Sequence, residues 1–127
     1  MDFAMLYDKA IAVARPRTLS DSATSGGVGA SLFTKSGHVY TGVCIDAACS
    51  VGFCAEHAAA ATMITAGENI VKKMIAVRST GEIIPPCGRC REFVSQLSVE
   101  NKQTKVMVSA NEVIDLEALL PFDWRKK

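Results

Sequence analysis

The sequence lacks an excess of charge of either sign, because fourteen Lys and Arg face thirteen Asp and Glu, a formal net charge of +1. A protein that binds nucleic acid by bulk charge is therefore not expected. Aromatic residues are also few, at 6%, which argues against a channel that stacks single-stranded bases. No uncharged apolar stretch approaches the roughly 18 residues of a membrane-spanning helix. The composition thus predicts neither nucleic acid nor a membrane as a partner.

A secretory leader pattern is also missing, since Asp2, Asp8 and Lys9 interrupt the apolar residues of the N-terminus. We therefore expect a cytoplasmic protein. The chain has five cysteines, an odd number, among its 127 residues. Cytoplasmic thiols stay reduced, so metal binding or catalysis explains these cysteines better than a disulfide framework does.

Helical and extended patterns alternate along the chain. Helical spacing or composition predicts helices over Ala4–Val13, Glu56–Ala66, Gly88–Leu97 and Asp115–Leu120. Apolar or β-branched runs predict strands over Val28–Thr34, Val39–Ile45, Val71–Val77 and Thr104–Val108. The polar, glycine-containing segment Ser20–Gly27 is expected to be a loop. This order predicts one α/β domain over residues 1–127, a three-layer α-β-α sandwich with a mixed central sheet.

Two short motifs lie where helices are expected to begin, Cys54-Ala55-Glu56 and Pro85-Pro86-Cys87-Gly88-Arg89-Cys90. A helix N-terminus favours the thiolate form of cysteine, which is the form that binds metals. Cys87 and Cys90 are close enough in sequence to chelate together, and Cys54 arrives from the other helix. Three protein ligands leave one position of a tetrahedral zinc open, as in catalytic rather than structural sites. We therefore predict a catalytic Zn²⁺ bound by these three cysteines.

Glu56 lies two residues beyond Cys54, within reach of a water in the open position without being a ligand itself. A carboxylate there can transfer protons, while zinc brings the pKa of a bound water towards ~7. A closed structural zinc site is one alternative, with a fourth ligand from Cys44, Cys49, His38 or His57. A C-x-x-C redox pair is another alternative, and it would need no third thiol. Neither alternative gives Glu56 a role, so we favour catalysis.

A metal ligand followed by x-Glu, with P-C-x-x-C further on, is the signature of zinc-dependent nucleobase deaminases. Over nearly its whole length the sequence resembles the cytidine deaminase superfamily, specifically the small homotetrameric branch that includes cytidine deaminases and blasticidin S deaminases. The further matching segments are Val28-Gly29-Ala30, Gly42-Val43, Cys90-Arg91-Glu92 and Leu119-Leu120-Pro121. The resemblance implies a homotetramer in which Cys54, Cys87 and Cys90 bind zinc. It also implies that Glu56 protonates the cytosine ring and the leaving amine while water attacks the amidine carbon and ammonia leaves.

The sequence departs from cytidine deaminases where that family binds ribose. The usual Asn-x-Glu of the second strand is Cys44-Ile45-Asp46 here, and a thiol is a weaker hydrogen-bond partner than an amide. Gly26-Gly27 stands in place of Phe-Pro and removes bulk. The expected substrate is a free cytosine nucleoside or analogue, with cytidine or deoxycytidine and a blasticidin S-like compound as open alternatives. We expect cytidine itself to be a poor substrate.

The resemblance also implies that Ala55, Phe122 and Trp124 contact the substrate, although Phe122 and Trp124 have the alternative of being core or subunit-interface aromatics. His57 stands where many cytidine deaminases carry an Arg that hydrogen-bonds the zinc thiolates. Three thiolates on a divalent zinc sum to minus one, so His57, Arg89 or Arg91 is expected to supply compensating donors. An exposed position for His57 on the helix surface is an equal alternative. A non-catalytic zinc-binding protein of the same fold is the alternative function, and Arg125-Lys126-Lys127 is expected to be a solvated tail.

Overall fold

The computed structural model describes residues 1–125. Its three α-helices are α1 (Phe3–Val13), α2 (Ala55–Thr65) and α3 (Gly88–Leu97). Its strands are β1 (Arg17–Ser20), β2 (Ala23–Thr34), β3 (Val39–Ala47), β4 (Val71–Arg78), β5 (Ile83–Ile84), β6 (Lys105–Ser109) and β7 (Glu112–Asp115). Short 3-10 helices cover Ala48–Ser50, Val99–Gln103 and Leu116–Leu119.

The strands form one mixed sheet, as predicted. β2 pairs antiparallel with β3 on one side and with β1 and β4 on the other. β4 in turn pairs parallel with β6 and antiparallel with the short β5, and β7 closes the sheet beyond β6. The hairpin of β2 and β3 therefore supplies an antiparallel edge, and the β4–β6 pair supplies the parallel part.

Helices cover both faces of the sheet. Because side chains alternate along a strand, β4 divides its buried residues between two cores. Ile75 and Val77 pack with Leu6 and Ala10 of α1. The opposite core contains Met74 and Ala76 of β4, Ala59 and Met63 of α2, and Val94 of α3. The expectation of a three-layer sandwich is confirmed.

Helix α2 lies unusually close to β3. A Cβ atom added to Gly42 would come within 2.4 Å of the Ala59 backbone nitrogen and 2.8 Å of the Ala55 carbonyl oxygen. The buried side of the helix presents the small side chains of Ala55, Ala59 and Ala60. Small residues on both elements thus bring the start of α2 against the strand that carries Cys44 and Asp46.

The prediction of a loop over Ser20–Gly27 is wrong. Residues 23–27 belong to β2; residues 23–25 pair with β1 and with the end of β3, and Gly26 and Gly27 lie in an irregular part of the strand before the pairing with β3 resumes. Gly26 has a φ of +92°, and a Cβ there would lie 1.9 Å from the Arg15 carbonyl oxygen. This glycine is therefore required by the backbone, so it does not by itself indicate room for a substrate.

The C-terminal prediction also needs correction. Residues 112–115 form β7, and the helix predicted over 115–120 is a 3-10 turn over Leu116–Leu119. Arg125 is not a solvated residue, because its guanidinium lies 2.8 Å from both an Asp123 carboxylate oxygen and the Ser95 hydroxyl. Lys126 and Lys127 of the expected tail lie outside the described residues. Within residues 1–125, no helix has both the length and the apolar character needed to cross a bilayer.

Candidate metal centre and catalytic site

Two helix starts place the three predicted metal ligands. Cys54 is the N-cap residue of α2 and Cys87 is the N-cap residue of α3, while Cys90 lies in the first turn of α3. Extended backbone at both caps, with ψ of 159° and 166°, turns the chain into the helix at the cysteine. The two motifs recognised in the sequence therefore mark two helix N-termini that lie close together in the structure.

The three sulfur atoms lie close enough to share one ion. The Sγ atoms of Cys54 and Cys87 are 3.3 Å apart, those of Cys87 and Cys90 are 3.6 Å apart, and all three lie within 4.8 Å of one another. A tetrahedral zinc with Zn–S bonds of about 2.3 Å places its sulfur ligands about 3.8 Å apart. The donor set and its spacing therefore fit zinc. Among residues 1–125 no other group of three or more metal-binding side chains converges in this way.

The thiols do not all ionise readily. Burial raises the pKa of Cys54 to about 11 and, together with the Glu56 carboxylate, raises the pKa of Cys90. At Cys87 burial acts in the same direction, but interactions with the Cys90 backbone N–H and the Cys54 thiol outweigh it and lower the pKa. The helix-start argument thus holds for Cys87 and is outweighed by desolvation at the other two thiols. A bound cation would have to displace their protons.

Glu56 lies in the first turn of α2 and is only 3% exposed. Desolvation by burial raises the pKa of this carboxyl, against the opposing effect of its own backbone N–H. Burial thus makes the protonated form of this carboxyl more accessible than that of an exposed glutamate, as a proton-transfer group requires. Its position beside the sulfur cluster is the one expected of a proton-transfer group.

Two adjoining cavities open at the cluster. The smaller, of about 160 Å³, contacts Glu56 and Cys54 and is closed by the apolar side chains of Val28, Ile84 and Pro85. The larger, of about 390 Å³, is lined on its polar side by Asp46, Ser50 and Arg89. Cys44 and Cys54 line both cavities, so they stand at the boundary between an apolar inner space and a polar outer one.

The residues in the predicted ribose-binding positions reach this site. The Cys44 sulfur accepts a hydrogen bond from the Val28 backbone N–H at 3.3 Å. Asp46 is exposed at the rim of the larger cavity, and Ala55 lines the smaller one. A Cβ on Gly27 would contact the Cys44 sulfur at 3.8 Å. Gly27, unlike Gly26, therefore leaves space next to a cavity-lining side chain.

The three expected donors to the thiolates have other surroundings. Arg91 donates to the Pro86 carbonyl at 2.7 Å and to the Leu119 carbonyl at 3.4 Å, so it holds the metal loop against the C-terminal segment. Arg89 lines the larger cavity. The His57 Nδ1 atom is buried without a hydrogen-bond partner among the described residues. Burial, with a contribution from Arg89, lowers the pKa of His57 and so disfavours its charged form.

The two C-terminal aromatics lie away from these cavities within the described chain. Phe122 is 97% exposed, with a φ of +55°, and Trp124 is 73% exposed, with its indole N–H 3.1 Å from a Glu92 carboxylate oxygen. Of the residues proposed as a fourth structural ligand, Cys49 and His38 lie elsewhere, whereas Cys44 lines both cavities and His57 lies in the first turn of α2. Cys49 is exposed, and the His38 ring lies 2.7 Å from Glu68.

Sequence reasoning missed Ile84 and Phe53 as cavity residues. Ile84 directly precedes Pro85-Pro86, and Phe53 directly precedes Cys54. Both are apolar residues next to a recognised motif, and that adjacency is the signal that could have identified them.

An α/β sandwich that brings three thiols and a buried carboxylate to two adjacent helix starts has the arrangement of the zinc-dependent nucleobase deaminases. The cytidine deaminase of Shewanella halifaxensis (strain HAW-EB4) is 32% identical to this chain over 98 residues. The match covers 75% of this chain and 31% of that protein, so the chain spans about a third of that relative's length. No protein-family model matches the chain.

Solved structures agree with this relationship. The cytidine deaminase of Mycobacterium tuberculosis has a TM-score of 0.80 at 25% identity, over 96% of this chain and 96% of that one. The cytidine deaminase of Burkholderia pseudomallei has a TM-score of 0.76 at 25% identity, over 96% and 98%. That of Bacillus anthracis, at 18% identity with a TM-score of 0.72 over 95% and 88%, shares the fold. The chain belongs to the cytidine deaminase superfamily, as the motifs predicted.

Proposed function

We propose that this protein is a zinc-dependent hydrolytic deaminase that converts the cytosine ring of a free nucleoside or nucleoside analogue to uracil. The observation that carries the proposal is the buried Glu56 beside three converging thiols at the wall of a cavity. A structural zinc site has no use for an unligated carboxylate in that position.

Cys54, Cys87 and Cys90 would hold the metal, and Glu56 would move protons. Zinc, when bound, lowers the pKa of a water in its open coordination position. Glu56 takes one proton from the attacking water and delivers it to the ring nitrogen; it then takes the proton of the newly added hydroxyl and passes it to the departing amine. Water supplies the new carbonyl oxygen, and the amine leaves as ammonia. The raised pKa of Glu56 suits a group that must both accept and donate a proton.

The two cavities suit two different parts of the substrate. The apolar inner cavity suits the flat cytosine ring, and the polar outer cavity, with Asp46 and Arg89 on its wall, suits the sugar or the group that replaces it. The Cys44 thiol already accepts the Val28 N–H and is a weak partner for a hydroxyl. Each hydrogen bond missing from a site built for hydroxyls costs roughly 1–3 kcal/mol. Cytidine should therefore be a weaker substrate than a cytosine compound with an altered sugar.

The direct experiment measures ammonia release from a panel of cytosine compounds: cytidine, deoxycytidine, blasticidin S and, as a control for the ring, adenosine. We expect turnover of at least one cytosine compound and none of adenosine. For cytidine we expect a kcat/KM at least about tenfold below the best compound, since 1.4 kcal/mol is one decade. Absence of ammonia from every cytosine compound, with zinc bound, would sink the proposed activity.

The residues responsible for the preference can be tested separately. In the double variant Cys44→Asn with Asp46→Glu, cytidine gains an amide and a longer carboxylate, so its kcat/KM should rise about tenfold. The matched control is Cys49→Ser, an exposed thiol of the adjacent turn. If cytidine efficiency is unchanged in the double variant, these positions do not determine the preference.

A cytoplasmic homotetramer is the assembly we propose. Among the described residues, large apolar side chains remain exposed, including Phe122, Trp124, Val99 and Val51. Such exposure is typical of surfaces that a further subunit covers. Sedimentation at micromolar concentration should give four times the 13.5 kDa chain mass. A monomer there would contradict the assembly.

A further inference from the structure

Three aromatic rings are stacked beside the sulfur cluster. The His57 ring lies between Phe93, at a centroid distance of 4.7 Å and an interplanar angle of 14°, and Phe53, at 4.8 Å and 33°. All three side chains are partly buried. Distances and angles in this range are those of favourable offset stacking between π-systems.

Each ring is attached close to a metal-binding cysteine. Phe53 directly precedes Cys54, His57 follows Cys54 by three residues, and Phe93 follows Cys90 by three residues. The stack therefore connects the first turn of α2 to α3, with Phe93 about one helical turn beyond Cys90. Along the chain the two helices are far apart, since 22 residues separate the end of α2 from the start of α3.

Phe53 is itself held in place. Its backbone N–H donates to the Ile45 carbonyl at 3.0 Å and its carbonyl accepts the Ile45 N–H at 2.9 Å. These two bonds attach the segment before Cys54 to β3. The stack thus runs from a fixed strand, through α2, to the helix that carries Cys87 and Cys90.

The imidazole chemistry of His57 is unused in this arrangement. Its Nδ1 is buried and unpartnered, and the hydrogen bonds within residues 1–125 include none from His57 to a cysteine sulfur. A ring nitrogen left without a partner gives no favourable hydrogen bond, whereas both faces of the ring make close contacts.

We propose that His57 is a positioning residue that acts through ring stacking: with Phe53 and Phe93 it sets the spacing of the two helix starts, so that Cys54 meets Cys87 and Cys90. This differs from a role as a hydrogen-bond donor to the thiolates. The inference rests on the proposed zinc site but not on the identity of the substrate. It predicts that a flat apolar ring can replace the imidazole.

The test compares zinc affinity in His57→Phe and His57→Ala, measured by competition with a chromogenic chelator. His57→Phe should bind zinc within about threefold of the unmodified protein, whereas His57→Ala should bind at least about tenfold more weakly, because it loses two stacking contacts. His38→Ala is the control, since that histidine faces Tyr40 at the far end of α2 with ring centroids 6.4 Å apart. It should leave zinc affinity unchanged.

A second readout separates positioning from general stability. Cobalt(II) substituted for zinc gives thiolate charge-transfer absorption whose intensity reports how many sulfurs bind. That band should be retained in His57→Phe and reduced in Phe93→Leu, a variant that removes the α3 side of the stack if His57→Ala fails to fold. Equal loss of zinc affinity in His57→Phe and His57→Ala would overturn the stacking role and establish a need for the imidazole nitrogen. Wild-type affinity in both His57→Ala and Phe93→Leu would overturn it as well. Deamination is measured independently, so failure of the activity leaves this test intact.

Discussion

The two glutamates at the ends of α2 have opposite surroundings. Glu56, in the first turn, is buried, and desolvation raises the pKa of its carboxyl. Glu68, twelve residues later and just beyond the helix, accepts the Tyr40 hydroxyl at 2.6 Å and lies 2.7 Å from the His38 ring. Hydrogen bonds, led by those from Tyr40 and Thr34, lower the pKa of Glu68 to about 2.

The helix ends explain how each carboxylate reaches its position. Gly67, with a φ of +93°, ends α2, and the backbone N–H groups of Gly67 and Glu68 return to the Ile64 and Met63 carbonyls. This helix ending turns Glu68 towards the β2–β3 hairpin. Burial thus gives a carboxyl that can move a proton, whereas several surrounding side-chain donors give one that stays charged. A carboxylate of the first kind suits catalysis, and one of the second kind suits structure.

The largest effect is expected at the metal end, from Cys87→Ser. A serine hydroxyl does not replace a thiolate ligand of zinc, so most of the zinc should be lost and activity with it. Stability should also fall, because metal binding contributes to folding where the site is not preformed in the unfolded chain. Metal analysis and thermal unfolding measure both effects, with Cys49→Ser as the matched control. Full zinc retention would contradict the ligand assignment.

Glu56→Gln should lower activity by roughly 10² or more, the scale expected for loss of a positioned proton-transfer group. Zinc content and fold should remain, because Glu56 is not a ligand in our proposal. Glu68→Gln is the internal control at the other end of the same helix, and its turnover should stay near that of the unmodified protein. Near-normal turnover in Glu56→Gln would mean that another group moves the protons.

The third effect is on the pH dependence of stability in acid, which should distinguish Glu68 from Glu56. A carboxyl whose pKa is lowered on folding stabilises the protein above its unfolded value, and that contribution is lost as the pH falls. For Glu68 the window lies between about 4.5 and about 2. The free energy of unfolding should therefore decline over this window, and Glu68→Gln should reduce the decline. If the free energy of unfolding of Glu68→Gln depends on pH as it does in the unmodified protein, the contacts of Glu68 do not contribute to the acid dependence of stability.

The smallest effect is expected from Tyr40→Phe. Removal of the hydroxyl removes the largest cause of the lowered Glu68 pKa, so the acid transition should move to higher pH. At alkaline pH the hydrogen bond to Glu68 raises the pKa of Tyr40 above 10. The stability from this bond is present below pH 10 and is lost as the pH rises through the raised value. Phenolate absorbance against pH, compared between the unmodified protein and Tyr40→Phe, measures the titration of Tyr40.

The metal site at the start of α2 could be predicted from sequence, because its residues fall in two short motifs. Cys54 and Glu56 lie in one helix turn, Cys87 and Cys90 in another, and each motif begins a helix. The sandwich followed from the alternation of periodic segments. The meeting of the three sulfurs was inferred from chemistry, and the structure brings them together.

The surroundings of Glu68, beyond the end of α2, could not be predicted, since the residues that contact it come from separate segments. Thr34 and His38 flank a turn, Tyr40 lies on β3 and Glu68 follows α2, and none forms a motif. Residues 23–27 were missed for a related reason. Pairing with β1 and β3 holds residues 23–25 in the strand, which local propensity does not reveal, and Gly26 and Gly27 follow in an irregular part of it. The stack of His57 likewise depends on Phe93 from another helix.

The close approach of α2 to β3 has a consequence for how this scaffold can diversify. Gly42, Cys44 and Asp46 alternate along one face of β3, from the helix contact to the cavity boundary and then to its exposed rim. A side chain at 42 would push α2 and its cysteine away, whereas a change at 46 alters the cavity rim and one at 44 alters the cavity wall and the hydrogen bond from the Val28 N–H. Tolerance to substitution is therefore expected to increase along β3 from residue 42 to residue 44 and then to residue 46. Selection for new substrates can act at the outer two positions while the innermost one keeps the reactive centre intact.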